Sequence, residues 1–482
     1  METLSLRAAA PWRVLDGFGG AVRAACRYTA PRGVEELALL LLRASAENLP
    51  VTFRGTGLSY GDASLNAHGL VIDTSAINRV LSWDPAQGAL EVEPGVTMEG
   101  VWRRTLEDGY WPPVVPGTMF VTIAGCLAMN IHGKNNFREG PFGEHVLDFD
   151  LLTPTGTLLR CSREENADVF HAGIGGAGLL GAITRARLKL KRVESGTLRV
   201  EPIIARSFGE MIDLFESRLA RADYLVGWVD CFSRGRELGR GLIHQANYLF
   251  ASEELQPGSL HVEHQGLPSR ILGIPRRHVW RLIRPWMSSS GMRILNSAKF
   301  NASRLRGSGS SYLQSLVAFS FLLDYIPNWR RAYGLGGFIQ FQLFVPAGVA
   351  RSLIPELLRK CQDRGMISYL GVLKRHRPDE FLLSHALDGY SLALDFPVDA
   401  QRPEPLWAFA REMTGTVLEA GGNFYLAKDA VLTSEDARKM YGERLTRFFQ
   451  LKHRLDPAGI LRGDLARRVF RGGARNPELQ SL

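Results

Sequence analysis

Cysteine is scarce: five residues in 482, Cys26, Cys126, Cys161, Cys231 and Cys361, with no C-x-x-C spacing among them. An odd, scattered set of thiols argues against a disulfide framework and a structural zinc site, and it fits a reducing, cytoplasmic compartment. Long apolar runs are missing too. The uncharged stretch 109–133 is broken by Pro112, Pro113 and Pro116, and the stretch 307–323 is shorter than the ~20 residues a membrane span requires. Glu2 and Arg7 occupy the place where a signal peptide begins its apolar run, so no export signal is read there. Acidic residues are absent from 264 to 323, where Arg270, Arg276, Arg277, Arg281, Arg284, Arg293, Lys299, Arg304 and Arg306 supply nine bases. Outside that segment bases and acids balance, so the net charge of +9 resides in it. Repeats and low-complexity tracts are likewise lacking. With 45% hydrophobic and 22% charged residues the chain is globular, and its length suits two or three domains.

Short β-type runs at residues 51–53, 70–73, 80–83 and 89–92 alternate with glycine turns, and helical periodicity covers 33–42 and 97–106, the latter with Thr97 as N-cap. Glycine density falls near Ser195, where longer patterns begin and suggest a second domain. Residues 338–345 alternate as a strand with Gln340 and Gln342 on one face and Phe341 on the other, 391–396 reads similarly, and a capped helix begins at Ser434. The expected fold class is α+β.

Several familiar motifs fail on context. Gly173-Ile-Gly-Gly-Ala-Gly178 matches the dinucleotide fingerprint, but a helical turn precedes it and an alternating strand follows, the reverse of the strand–turn–helix that motif needs. Gly57-Leu-Ser-Tyr-Gly61 matches a nucleophile elbow without the following helix or an oxyanion loop. Gly133-Lys134 is followed by Asn135, not Ser or Thr, so it is no phosphate-binding Walker loop. His261 and His264 have no third ligand nearby, so no metal is expected.

Three glycine-rich segments remain: Arg54-Gly-Thr-Gly-Leu-Ser-Tyr-Gly-Asp62, Pro116–Gly125 leading into Asn130–Asn136, and Gly175–Gly181. Each alone reads as a hairpin turn. Together they supply clustered backbone N–H groups able to hold a pyrophosphate without a lysine-rich pocket.

The chain resembles the FAD-linked oxidoreductases of the vanillyl-alcohol oxidase and p-cresol methylhydroxylase (PCMH) type, most closely their decaprenylphosphoryl-β-D-ribose 2-oxidase branch. RGTGLSYGD (54–62), IHGKN (131–135), NWRRAYGLGGFIQFQ (328–342), LALDFP (392–397), YLAKD (425–429) and LDPAGILRGDLARR (455–468) carry the likeness, which spans about 54–190 and 328–468. In the middle only Tyr224-x-x-x-Trp228-x-Asp230 matches. The resemblance implies a PCMH-type FAD-binding domain over 1–194, a substrate domain with an antiparallel sheet and helices over 195–420, and a segment 421–482 returning to the flavin. It implies FAD held by Arg54, Gly55, Thr56, Gly57, Leu58, Ser59, Tyr60, Gly61 and Asp62 at the pyrophosphate, and by Gly117, Thr118, Thr122, Ile123, Ala124, Gly125, His132, Gly133, Lys134, Asn135, Ile183 and Tyr425 around it. Covalently flavinylated relatives carry His where Leu58 stands, so non-covalent FAD is expected, with Cys126 serving packing.

The reaction implied is oxidation of a secondary sugar hydroxyl to a ketone, with Lys428, Tyr60 and His132 as catalytic candidates and Trp228, Gln340, Gln342, Lys374, Ser391 and Lys428 facing the substrate. The family cysteine and asparagine of the LALDFP segment are replaced by Ala393 and Ser391, so sugar recognition is expected to differ. Implied partners are a sugar or lipid-linked sugar-phosphate, and a reductase completing an epimerisation. The arginines of 275–286, interleaved with Val279, Trp280, Ile283 and Trp286, suit an anionic membrane surface, with a solvated helix or a nucleic-acid patch as other readings. An aldonolactone or alditol oxidase, or a basic module without catalysis, also stays open here.

Overall fold

The computed structural model describes residues 5–254, 257–271, 273–306 and 310–471, so readings placed on Glu2, on 307–309, on the Arg306 side chain and on 472–482 lie outside the described residues. Three larger sheets organise the chain. The first has the order Trp12–Asp16, Arg23–Thr29, Leu70–Asp73, Val51–Arg54, antiparallel in its first pair and parallel in the other two. The helix Val34–Ala46 carries the chain from Arg23–Thr29 to Val51–Arg54, on either side of Leu70–Asp73, and buries Leu37, Leu40, Leu41 and Ala44 at helical spacing. Val51–Arg54 then runs directly into the first glycine loop.

The second sheet is antiparallel, in the order Val80–Asp84, Ala89–Val92, Ala182–Lys189, Val146–Leu152, Leu158–Ser162. The loop 175–181 joins the helix Ala167–Gly173 to the strand Ala182–Lys189, an order opposite to that of a Rossmann turn. Thr97 and Thr122 accept bonds from Gly100 N and Gly125 N and fix the helices Met98–Thr105 and Ile123–Ala128.

From Thr197 onward the strands enter an eight-stranded antiparallel sheet: Tyr312–Ser315, Thr197–Ala205, Gly241–Tyr248, Tyr224–Val229, Gly371–His376, Gly389–Pro397, Phe338–Pro346, Asn423–Phe424. Phe338–Pro346 is buried almost throughout, because Ala347–Asp363 and Glu404–Glu419 pack against it while Gln340 and Gln342 face a cavity toward the glycine loops. Residues 423–470 cross back: Leu461 bridges Val51 in parallel, and Arg468 pairs with Asp62 and Asp429. Helices Arg276–Ile283 and Ser289–Arg306 form a basic arm beside the large sheet. Among the described residues no helix is long and apolar enough to cross a membrane.

Candidate functional site

A cavity of about 500 Å³ lies between the glycine loops and the large sheet. One end is built from backbone. Among the described residues none of the amides from Gly55 to Ser59 donates to a protein oxygen, and all five residues line the cavity. Gly57, at φ +71°, reverses the chain there at no steric cost. Thr56 Oγ1 donates to Phe120 O at 2.7 Å, and the Arg54 guanidinium donates to Asp16 O at 3.1 Å and Ser64 Oγ at 3.0 Å, so the loop is held from behind. Free N–H groups converging in a concavity form an anion cradle. The first amides of Ile123–Ala128 are already spent: Ile123 N donates to Val96 O and Ala124 N to Pro94 O.

The other end is cationic and aromatic. Lys428 Nζ sits 3.5 Å from the Tyr60 ring centroid. Behind Tyr60, Gln340 Nε2 donates to Asp395 Oδ1 at 2.5 Å. Burial pulls the Lys428 ammonium well below the usual lysine range, against the raising effect of Asp395 and with added repulsion from Lys374; burial pushes the Asp395 carboxyl up. Burial and then Asp395 hold the Tyr60 phenol well above its ordinary value, so it stays protonated. His132 has Gln342 Nε2 at 3.0 Å from its Nε2 and Lys374 Nζ at 3.3 Å from its Nδ1, with the rings of His376, His385 and Tyr425 packed around it. Burial, then Lys374, keep this imidazole neutral, while burial alone takes Lys374 down to about 8. Among the described residues no Asp or Glu lines the cavity, whereas Arg54, Lys134, Lys299, Lys374 and Lys428 do.

An FAD binding domain family matches residues 27–162. Decaprenylphosphoryl-β-D-ribose oxidase of Mycolicibacterium smegmatis is 32% identical over 437 residues, covering 87% of this chain and 89% of that protein. The chain belongs to this family of FAD-dependent oxidoreductases. An uncharacterized protein of Streptomyces coelicolor is 28% identical over 78% of this chain and all of its own length. Cytokinin dehydrogenase 7 of Oryza sativa is 36% identical, but over only 31% of this chain and 30% of its own. In this flavoenzyme the partnerless amides of 55–59 fit the pyrophosphate of FAD, a dianion that an acid-free wall admits.

The cavity wall brings together Arg54, Gly55, Thr56, Gly57, Leu58, Ser59, Tyr60, Gly117, Thr118, Thr122, Ala124, Gly125, His132, Lys134, Ile183, Tyr425, Trp228, Gln340, Gln342, Lys374 and Lys428. Six expected residues stand behind that wall. A Cβ on Gly61 would meet the Asp429 carbonyl oxygen, so Gly61 marks a close crossing of two backbones and not a ligand contact. Asp62 is taken by Arg468. Ile123 is buried in the core, and Asn135 Nδ2 donates to Pro113 O at 2.7 Å, with Gly133 pressed against it. Ser391 Oγ bonds His376 Nε2 at 2.7 Å. Cys126 is fully buried.

Residues outside the expected set also line the site, two of them from the glycine-rich segment 175–181 already read from the sequence. Gly178 and Gly181 join from the third loop, and Ala177 beside them holds φ +53°, an uncommon conformation for a residue with a Cβ. His244 and Lys299 enter from the large sheet and the arm. Leu323 N donates to Gly117 O, and Asp324 accepts from Thr118 Oγ1 and Met119 N, clamping the second loop to the segment beyond the arm.

Proposed function

We propose that this flavoenzyme oxidises a secondary hydroxyl of a phosphate-bearing sugar to a ketone. The observation that carries the reading is one cavity, free of Asp and Glu among the described residues, in which an amide cradle at one end faces Lys428, Lys374 and neutral His132 at the other. FAD, when bound, accepts the hydride released from the carbinol carbon. Lys428 Nζ holds the substrate hydroxyl and takes its proton, Tyr60 supports that nitrogen through its ring, and Gln342 with Lys374 fixes His132 beside the sugar. That a relative 32% identical over 87% of this chain is a decaprenylphosphoryl-β-D-ribose oxidase supports a pentose linked to a lipid phosphate. Flavin bleaching without oxygen, followed across phosphorylated pentoses, alditols and aldonolactones, tests the reading: reduction by the phosphorylated pentoses is expected, and reduction by none of them overturns it. Ala393 on the cavity wall, smaller than the cysteine the resemblance leads one to expect, favours as second reading an alditol or aldonolactone substrate, which the same screen separates.

FAD is held without a covalent bond, since Leu58 offers no nucleophile in the cradle and Cys126 is sealed in the core. Acid precipitation is expected to leave all of the flavin in solution and a protein of unmodified mass; yellow pellets would contradict this.

The arm suits an anionic membrane face. Arg277, Arg281 and Arg284 are exposed beside exposed Leu282 and Trp286, while Arg276 turns inward and half-buries near Asp324. Changing the three exposed arginines to glutamine is expected to weaken sedimentation with phosphatidylglycerol vesicles by roughly tenfold or more, with neutral vesicles unaffected. Equal sedimentation before and after removes the membrane role.

A further inference from the structure

Lys299 is the one lysine among the nine basic residues of 264–323. Six of the arginines there, Arg270, Arg277, Arg281, Arg284, Arg293 and Arg304, are exposed on the arm without lining the cavity, whereas Lys299, itself exposed as a residue, also lines the cavity. Helical spacing explains the difference. Asn296 and Phe300, four residues apart in the helix Ser289–Arg306, are its buried anchors, and Lys299 lies three residues after Asn296 on the same face. Phe300 packs with Trp228 and Leu242 under the guanidinium of Arg240, which fixes the helix against the sheet. Lys299 Nζ therefore stands 4.1 Å from the Trp228 ring centroid.

Among the described residues no oxygen accepts a hydrogen bond from Lys299 Nζ. The surrounding protein lowers its ammonium to about 8, so it stays charged at neutral pH. His244 on the adjoining strand Gly241–Tyr248 is driven to about 4 by burial and then by Lys299 and Lys134, and is neutral. Lys134 Nζ donates to Phe319 O and, at 3.2 Å, to Ser320 O, which tethers the third member of the group. Burial first and Lys374 after it depress both Lys134 and Lys428, so the lysines form a continuous series from the arm to the reacting end. A run of ammonium groups with no carboxylate on the wall is self-repelling until an anion enters.

We propose that Lys299, His244 and Lys134 form an anion subsite that takes the phosphate of the substrate, remote from Lys428. This rests on the sugar-oxidising reading of the cavity and names the part of the substrate that the arm recognises. The shared chemistry is a phosphate ester, supplied by a free sugar phosphate or by a lipid-linked phosphate. Lys299 provides the untethered donor, Lys134 a tethered donor whose charge an entering anion favours, and neutral His244 one further N–H or acceptor.

Calorimetry on the FAD-loaded protein tests this with two matched pairs of probes, ribose 5-phosphate against ribose and farnesyl phosphate against farnesol. In the wild type a phosphate is expected to tighten binding within at least one pair. In Lys299→Met that preference falls by roughly tenfold or more, the loss expected for a charged hydrogen bond, and Lys299→Arg restores most of it, as a merely structural contact would not. Recovery confined to the lipid pair assigns the lipid source, and to the sugar pair the free one. A preference absent in the wild type, or unchanged in Lys299→Met, overturns the subsite. If the preference behaves as expected while no pentose bleaches the flavin, the sugar-oxidising reading falls and the anion subsite stands.

Discussion

Lys428→Met is expected to retain FAD and to lose substrate-driven flavin reduction by roughly 10²–10⁴-fold, the range a positioned proton acceptor contributes. The nitrogen is placed by its backbone neighbours: Tyr60 N donates to Ala427 O, Lys428 N donates to Tyr425 O, and Nζ comes to rest over the Tyr60 ring. Neither alternative base is poised, since the Tyr60 phenol is held up and His132 is held neutral and weakly basic. Burial lowers the Lys428 pKa, so its neutral amine becomes available at a lower pH than a free lysine's. The reduction rate should therefore rise with pH through a limb below the ordinary lysine value, and that limb should vanish in the variant. Lys428→Arg separates the two possible duties, because a guanidinium keeps the charge and cannot take the proton. Anaerobic stopped-flow absorbance reads all three proteins; an unchanged rate in Lys428→Met removes the residue from the chemistry.

Arg468→Met is expected to cost about 3–5 kcal/mol of stability, the loss typical of stranding buried charges. The guanidinium donates to Asp62 Oδ2 at 2.9 Å, Asp62 Oδ1 at 2.7 Å, Asp429 Oδ2 at 2.7 Å and Leu432 O at 2.7 Å. The Asp429 side chain is 2% exposed and that of Asp62 9%, so removing the cation leaves two carboxylates facing each other out of water. One partner follows the pyrophosphate loop and the other follows Lys428, so FAD occupancy should fall with stability. Urea unfolding of the apo and FAD-loaded forms measures both, and Asp62→Asn added to Arg468→Met should recover part of the loss. A midpoint shift no larger than that of a surface substitution would contradict the clamp.

Local features were legible in the sequence because their causes are local. The strands Leu70–Asp73 and Ala89–Val92 have the bounds their apolar runs indicate, and Thr97 caps its helix as its side chain allows. The 54–62 segment read as one phosphate loop, yet it divides: residues 55–59 keep their amides free, while Gly61 and Asp62 anchor to 429 and 468. Nothing within nine residues could disclose that split, since both anchors arrive from some four hundred residues away. Lys299, His244 and Asp395 were hidden for the same reason: periodicity shows which way a side chain turns and not what it meets. Asp395 alone left a trace, a carboxylate inside the apolar strand run 391–396, where only a partnered charge is tolerated.

The bridge between Val51 and Leu461 sets an order of events during biosynthesis. At about 5–20 residues per second, a ribosome finishes the strand bearing the cradle on the order of tens of seconds before it reaches the arginine that fastens it. Through that interval the nascent polypeptide can shape its nucleotide-binding bends but cannot shut them, so tight cofactor retention is expected to wait for the last residues of the chain. Products arrested short of residue 468 would emerge colourless.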